Sequence, residues 1–398
     1  MSPAKTGIRR LLLGACALRF LDSFVLIAPF YTLMFAEHGL TPAQIGVVLA
    51  SWSLVGLTLE VPCGVLADRM SRRWLMAAAQ LVRCVGFGAW LAFPGFWGFL
   101  IGLMLWGFKS ATLSGAFEAV IYDELKALGR ESEYVRVFGR TQAARFAGIL
   151  AASLGAAALS LLGYPALIWA SIAAGMAAAG SALLLPRAPK TAAAARWGYF
   201  AHLKRGAAEA ASLPGVPGLL LFIAGMQAVV YACADYWQLF AHEVGLPKPA
   251  IGLFVAAMSG AGVIAAALAH RLRDLRPLTL SLLLALAGVC VAAASAIYRP
   301  ASIALLVAYV ALYWLVDTNA DARFQHRLRP ETRATVASFK GFATQAGTSA
   351  LMLGFGAIAQ VSAYRWSFLV YGAGLVALGI GFAIASARRG GVGPVAGS

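Results

Sequence analysis

Apolar runs of about twenty residues, separated by short polar stretches, follow one another along almost the whole chain. A helix that crosses the hydrocarbon core of a bilayer needs about 20 such residues. Spans are predicted at 11–34, 43–63, 74–93, 98–122, 141–162, 166–186, 216–241, 250–269, 278–297, 302–322, 337–360 and 367–387. Runs such as 219–234 and 278–296 show none of the strict apolar–polar alternation of a transmembrane barrel strand. In hydrocarbon a helix satisfies its own backbone hydrogen bonds, so the pattern predicts an all-α polytopic membrane protein with twelve transmembrane helices. The links at 94–97 and 163–165 are too short for anything but antiparallel neighbours.

The longest polar stretch, 187–214, falls between the sixth and seventh runs and contains His202, Lys204, Arg205 and Glu209. It divides the chain into an expected six-helix bundle at 1–186, a linker with room for a surface amphipathic helix, and a second bundle at 215–398. The halves echo one another. Gly39-Leu40-Thr41-Pro42-Ala43-Gln44-Ile45-Gly46 has its counterpart in Gly245-Leu246-Pro247-Lys248-Pro249-Ala250-Ile251-Gly252. At the same offset Ser53, Gly56 and Asp68 match Ser259, Gly262 and Asp274. Two pseudo-symmetric bundles, built from a duplicated unit as many transporters are, follow as the expectation. Thr41, Pro42 and Gln44 also spell a helix start, with a cap, a proline in the first turn and a capping box.

Composition agrees with lipid as solvent: 61% of the 398 residues are hydrophobic and 12% charged, and the mean hydropathy is +0.78. Soluble domains carry about 25% charged residues. The net charge of +16 could suggest a nucleic-acid partner, but the basic residues are gathered at alternate ends of the runs. One set of ends holds Arg9 and Arg10, Arg69, Arg72 and Arg73, Arg136 and Arg140, Lys204 and Arg205, Arg271 and Arg276, and Arg323 and Arg327, whereas the opposite ends hold Lys248, Arg299 and Arg365. Positive charge stays in the cytoplasm, so both termini are expected there and no nucleic acid is. Arg9 and Arg10 before an apolar stretch resemble a signal peptide, yet the run continues to Phe35, and a retained first helix is expected. The five cysteines sit singly in apolar runs without metal-ligand spacing, and no nucleotide loop or haem motif is present. No cofactor, metal or enzymatic activity is expected.

Between the second and third spans the chain reads Gly64-Val65-Leu66-Ala67-Asp68-Arg69-Met70-Ser71-Arg72-Arg73. With the twelve spans, the central loop and the cytoplasmic termini, this resembles the loop signature of the major facilitator superfamily, with Ser71 where a glycine usually stands. The second copy, His270 to Arg276, keeps charge but little of the pattern, and the fifth span lacks the Gly-Pro pair of many drug/proton antiporters. The resemblance implies the superfamily's fold and a cytoplasmic gate of Gly64, Asp68, Arg69, Arg72 and Arg73, with Asp123 as acidic partner. It also implies that the first, fourth, seventh and tenth helices line a central cavity, and that the protein works as a monomer.

Charges within a span are costly and mark functional positions by default. Asp22, Arg19, Lys109, Glu118, Asp235, Asp317 and Glu60 are the coupling candidates, and all but Glu60 fall on the four helices that the resemblance puts around the cavity. Asp22 leads, with Arg19 one turn before it as its expected partner. Tyr31, Trp106, Tyr236, Trp237, Tyr313 and Trp314 are candidate cavity aromatics, suited to an amphiphilic solute. The expectation is a secondary active transporter in a bacterial cytoplasmic (inner) membrane. It exchanges protons for a small, amphiphilic or drug-like solute and exports it by alternating access, in contact with membrane lipid. Proton-coupled uptake of a nutrient, metabolite or siderophore, and lipid flipping, are the alternatives.

Overall fold

The computed structural model describes residues 3–186, 199–272, 275–329 and 332–388, and a few helical residues, Asp68 among them, through their backbone alone. The linker residues 187–198 and the second-loop Asp274 lie outside the described residues. The described chain is helical throughout: α1 (Pro3–Ser23), α2 (Tyr31–Glu37), α3 (Pro42–Arg69), α4 (Arg72–Ala92), α5 (Phe96–Ala127), α6 (Tyr134–Leu159), α7 (Tyr164–Leu183), α8 (Tyr199–Ser212), α9 (Val216–Ala234), α10 (Trp237–Glu243), α11 (Lys248–Leu268), α12 (Pro277–Ile297), α13 (Ile303–Arg327), α14 (Arg333–Val361) and α15 (Tyr364–Arg388). Among the described residues eleven helical segments are long and apolar enough to cross a membrane. The charged helix α1, continued by α2, supplies the twelfth crossing.

Two expected spans are broken. The run at 11–34 leaves the helix after Ser23 and re-enters it at Tyr31, and the run at 216–241 is interrupted at Asp235 and Tyr236. Pro29 explains why the first cannot continue: it lacks an amide hydrogen and excludes the helical conformation from the residue before it. The loop expected at 64–73 is shorter than its sequence suggests, because α3 runs on through Gly64 to Arg69 and the next helix begins at Arg72. No glycine or proline after Gly64 is there to stop it.

The internal repeat extends to backbone detail. Helices α2 and α10 are both seven residues long and stand at the offset that relates Gly39 to Gly245. Each ends in the same cap. Leu40 N–H reaches Phe35 O at 3.1 Å and Gly39 N–H reaches Ala36 O at 3.0 Å; Leu246 and Gly245 repeat this with Ala241 and His242. The cap needs a left-handed residue, and Gly39 and Gly245 supply it with φ of 84° and 93°. Just beyond, Thr41 and Gln44 form the reciprocal capping box, at 2.9 and 3.3 Å.

By contact the chain groups into two compact units, Met1–Leu40 with Ser51–Arg196 and Pro247–Ala256, and Thr41–Ala50 with Trp197–Leu246 and Ala257–Ser398. In the first unit α1 packs on α6 and α7, and α4 packs on α5 and α7. The core at one end of this unit joins Leu11, Leu18, Met76, Phe117, Ile121 and Ala182. Alanine and glycine let the backbones approach: a Cβ on Gly148 of α6 would stand 2.4 Å from Phe20 O. In the second unit α12 packs on α15, and α9 packs on α13, α14 and α15.

Candidate functional site

Three helices of the first unit bring their buried polar residues to one point. Asp22 comes from the last turn of α1, Gln80 and Arg83 from neighbouring positions on one face of α4, and Lys109 from the middle of α5. Lys109 Nζ donates to Asp22 Oδ1 at 2.7 Å, Gln80 Nε2 to the same oxygen at 2.8 Å, and Arg83 Nη1 approaches it at 3.4 Å. Arg83 Nη1 also donates to the Asp22 backbone carbonyl at 2.7 Å, which it can do because α1 ends there and leaves that oxygen without a helical partner. Asp22, Arg83 and Lys109 are 8%, 0% and 5% exposed. One carboxylate thus answers two cations, and among the described residues Arg83 Nε and Nη2 have no hydrogen-bond partner.

Arg19, the expected partner of Asp22, is instead placed with its guanidinium over the Phe117 ring at 4.7 Å, within electrostatic reach of Asp22, Glu118 and Arg145. Glu118 is exposed on α5. Glu60 is exposed on α3 and has no ion pair among the described residues. At the gate motif Arg72, in the first turn of α4, forms an ion pair with Asp123 near the end of α5, the two side chains being 14% and 7% exposed. Arg69 and Arg73 sit at the neighbouring helix ends, and the side chain of Asp68 lies outside the described residues.

The second unit has a cluster of opposite character. Asp317 of α13, 8% exposed, accepts a hydrogen bond from Gln227 Nε2 of α9 at 2.8 Å. Gln227 Oε1 in turn accepts from Thr344 Oγ1 of α14 at 3.2 Å. Among the described residues no cation lies within ion-pair distance of Asp317. One turn further along α13, Asp321 is paired with Lys340 of α14, and both charges act on Asp317. Asp235 caps the end of α9 at the break before α10.

The aromatic candidates divide in the same way. Tyr31 stacks on Trp90 at 6.1 Å and meets Trp106 edge-on at 6.0 Å; Tyr236 stacks on Phe355 at 4.1 Å and Trp237 on Phe368 at 4.5 Å. Tyr31, Tyr236, Trp237 and Tyr313 are buried, so much of their ring surface faces other side chains, while Trp106 and Trp314 keep part of theirs open.

Gln80, Gln227 and Thr344 carry no charge to single them out in the sequence, and Arg83, a charge within the third span, was not among the coupling candidates. The charge in the middle of the span is the signal for Arg83; Gln80, one turn before it, becomes visible only through Arg83. Among the described residues no group of three or more His, Cys, Asp or Glu side chains is placed to hold a metal ion.

The Major Facilitator Superfamily model matches residues 11–352. The inner membrane transport protein YajR of Escherichia coli (strain K12) is 29% identical over 160 residues, which cover 38% of this chain and 33% of YajR. The match thus spans about a third of the length of that curated relative. Among solved structures, the nucleoside transporter NupG superposes with a TM-score of 0.78 at 15% identity, covering 95% of this chain and 99% of NupG. An inward-facing, occupied bacterial homologue of the human lysosomal transporter Spinster superposes with a TM-score of 0.74, also at 15% identity, over 98% of both chains. At such identities the structural likeness speaks for the fold alone. With its family signature, its helix order and a family match over most of its length, the chain belongs to the Major Facilitator Superfamily.

Proposed function

We propose that the protein is a proton-coupled exporter of a small amphiphilic solute that works as a monomer by alternating access, with Asp317 carrying the proton. It sits in a bacterial inner membrane, in contact with lipid and with both termini in the cytoplasm. The observation that carries the reading is the difference between the two buried carboxylates. Asp22 is held by Lys109 and Arg83, and neutralising it would leave two cations facing one another in a low-dielectric interior. Asp317 has an uncharged partner, Gln227, which can donate to a carboxylate or accept from a carboxylic acid by turning its amide. It can change protonation state without orphaning a cation. The charged groups around it, Asp321 and Lys340, already satisfy one another.

Export is the direction that suits such a solute: an amphiphile can enter a cell across the bilayer unaided, whereas keeping its internal concentration low needs outward pumping coupled to a gradient. Everted membrane vesicles acidified inside by respiration, with an acridine dye as reporter, test the coupling. Adding amphiphilic compounds of acidic, neutral and basic type is expected to release the dye quench beyond that of vesicles lacking the protein with at least one compound in wild type, and with none in Asp317→Asn. An unchanged response in Asp317→Asn removes the proton from Asp317. A wild-type protein that releases the quench with no compound contradicts export by proton exchange.

A further inference from the structure

We propose that Lys109 is the docking point for an acidic group of the solute, which takes the ammonium over from Asp22 while Arg83 and Gln80 keep Asp22 satisfied. The inference deepens the transport reading by naming a substrate class, a small organic carboxylate or a similar anion with an apolar body.

A buried ammonium can change partners only if the acid it leaves is not stranded, because an unpaired charge inside the protein is far more costly than a paired one. Asp22 meets that condition. Its Oδ1 already has Gln80 Nε2 at 2.8 Å and Arg83 Nη1 at 3.4 Å, so two donors remain when Lys109 departs. Arg83 has capacity to spare, since its Nε and Nη2 are buried without a hydrogen-bond partner among the described residues. It is also the fixed member of the group, tied to the Asp22 carbonyl at 2.7 Å and fully enclosed. Lys109 is the movable one. It reaches Asp22 through a flexible four-carbon stem, and the bond to Asp22 is the one its Nζ makes among the described residues.

Charge balance points to the same ligand. The predicted spans that fall in the first unit carry Arg19, Arg83, Lys109 and Arg145 against Asp22, Glu60 and Glu118, an excess of one positive charge that a single anion would neutralise. One turn before Lys109 on the same helix face, the partly open Trp106 offers an apolar surface to the rest of such a molecule.

The test is equilibrium binding. Full-length protein in phosphatidylcholine nanodiscs, which carry no acidic headgroup, is titrated with naphthalene-2-carboxylate and with naphthalene-2-carboxamide, its uncharged isostere, while thermal unfolding is followed. The acid is expected to raise the unfolding temperature above the amide at equal concentration, by on the order of a degree or more. This difference is expected to persist in Lys109→Arg and to vanish in Lys109→Gln, with apparent affinity reduced about tenfold or more. The unliganded unfolding transition of each variant shows that it is folded. Lys109→Gln keeps Asp22 paired with Arg83, and Lys109→Arg keeps the charge as a second check. Equal or absent shifts with acid and amide in wild type, or an acid-specific shift that survives in Lys109→Gln, overturn the proposal. Binding needs no gradient, so failure of proton coupling in the vesicle assay leaves this result standing, and the reverse also holds.

Discussion

Lys109 and Asp22 lie 87 positions apart in the sequence and meet at 2.7 Å inside the first unit, with Arg83 closing on the same carboxylate oxygen from a third helix. Three helices are thereby joined through one buried oxygen. Asp22→Asn removes the shared acid and leaves the two cations unbalanced. The expected loss is about 3–5 kcal/mol of stability, read as a lower unfolding temperature in detergent. Adding Lys109→Met to Asp22→Asn is expected to recover part of that loss, because one of the stranded charges is gone; a double variant less stable than Asp22→Asn contradicts the arrangement.

Arg72 and Asp123 bind the start of α4 to the end of α5. Both side chains are largely shielded from solvent, so this pair outweighs an exposed one such as Lys248 with Glu37, at 36% and 33% exposure. Asp123→Ala is expected to cost about 1.5–3 kcal/mol and Lys248→Ala less than about 1 kcal/mol, measured by thermal unfolding. The exchange Arg72→Asp with Asp123→Arg is expected to restore part of the first loss, and no recovery would mean that position rather than pairing matters.

In the second unit the opening turns of α3 cross α14 at two glycines. A Cβ on Gly356 would stand 2.6 Å from Pro42 O, and one on Gly46 would stand 2.9 Å from Met352 O. Backbone cannot yield as a side-chain tip can, so Gly356→Ala is expected to destabilise by about 1–3 kcal/mol. Gly374→Ala, where nothing lies within 4 Å of the added methyl, is the control. Equal unfolding temperatures for the two variants would show that the crossing is not tight.

The fold was legible because lipid imposes a simple code. Each crossing must be a long apolar helix, and the repeated Gly-Leu turns at Gly39 and Gly245 mark the same cap in both halves. The break within the first span has a sequence signal in Pro29, masked by the apolar segments on either side of it, whereas the break around Asp235 had none, since its flanks are as apolar as the helices it interrupts. The candidate site was legible as a set of charges and not as a set of pairs. Arg19 stands one turn from Asp22 and was its natural partner by spacing, yet it lies over Phe117 while α4 and α5 deliver Arg83 and Lys109 to the carboxylate. Helix spacing reports neighbours on one helix; which helices face each other is decided by packing. Gln227 and Thr344 are uncharged and ordinary within a span, and only their contacts with Asp317 and with one another give them meaning.

The central claim is proton-driven export through Asp317, and growth of an efflux-deficient bacterial host tests it most directly. Wild type and Asp317→Asn, expressed to equal levels, are compared across amphiphilic toxic compounds and across nutrients the host cannot otherwise take up. The account predicts that wild type protects against at least one amphiphile and that Asp317→Asn does not. Equal protection by both proteins, sensitisation by wild type, rescue on a nutrient, or no effect of wild type on any compound would contradict it.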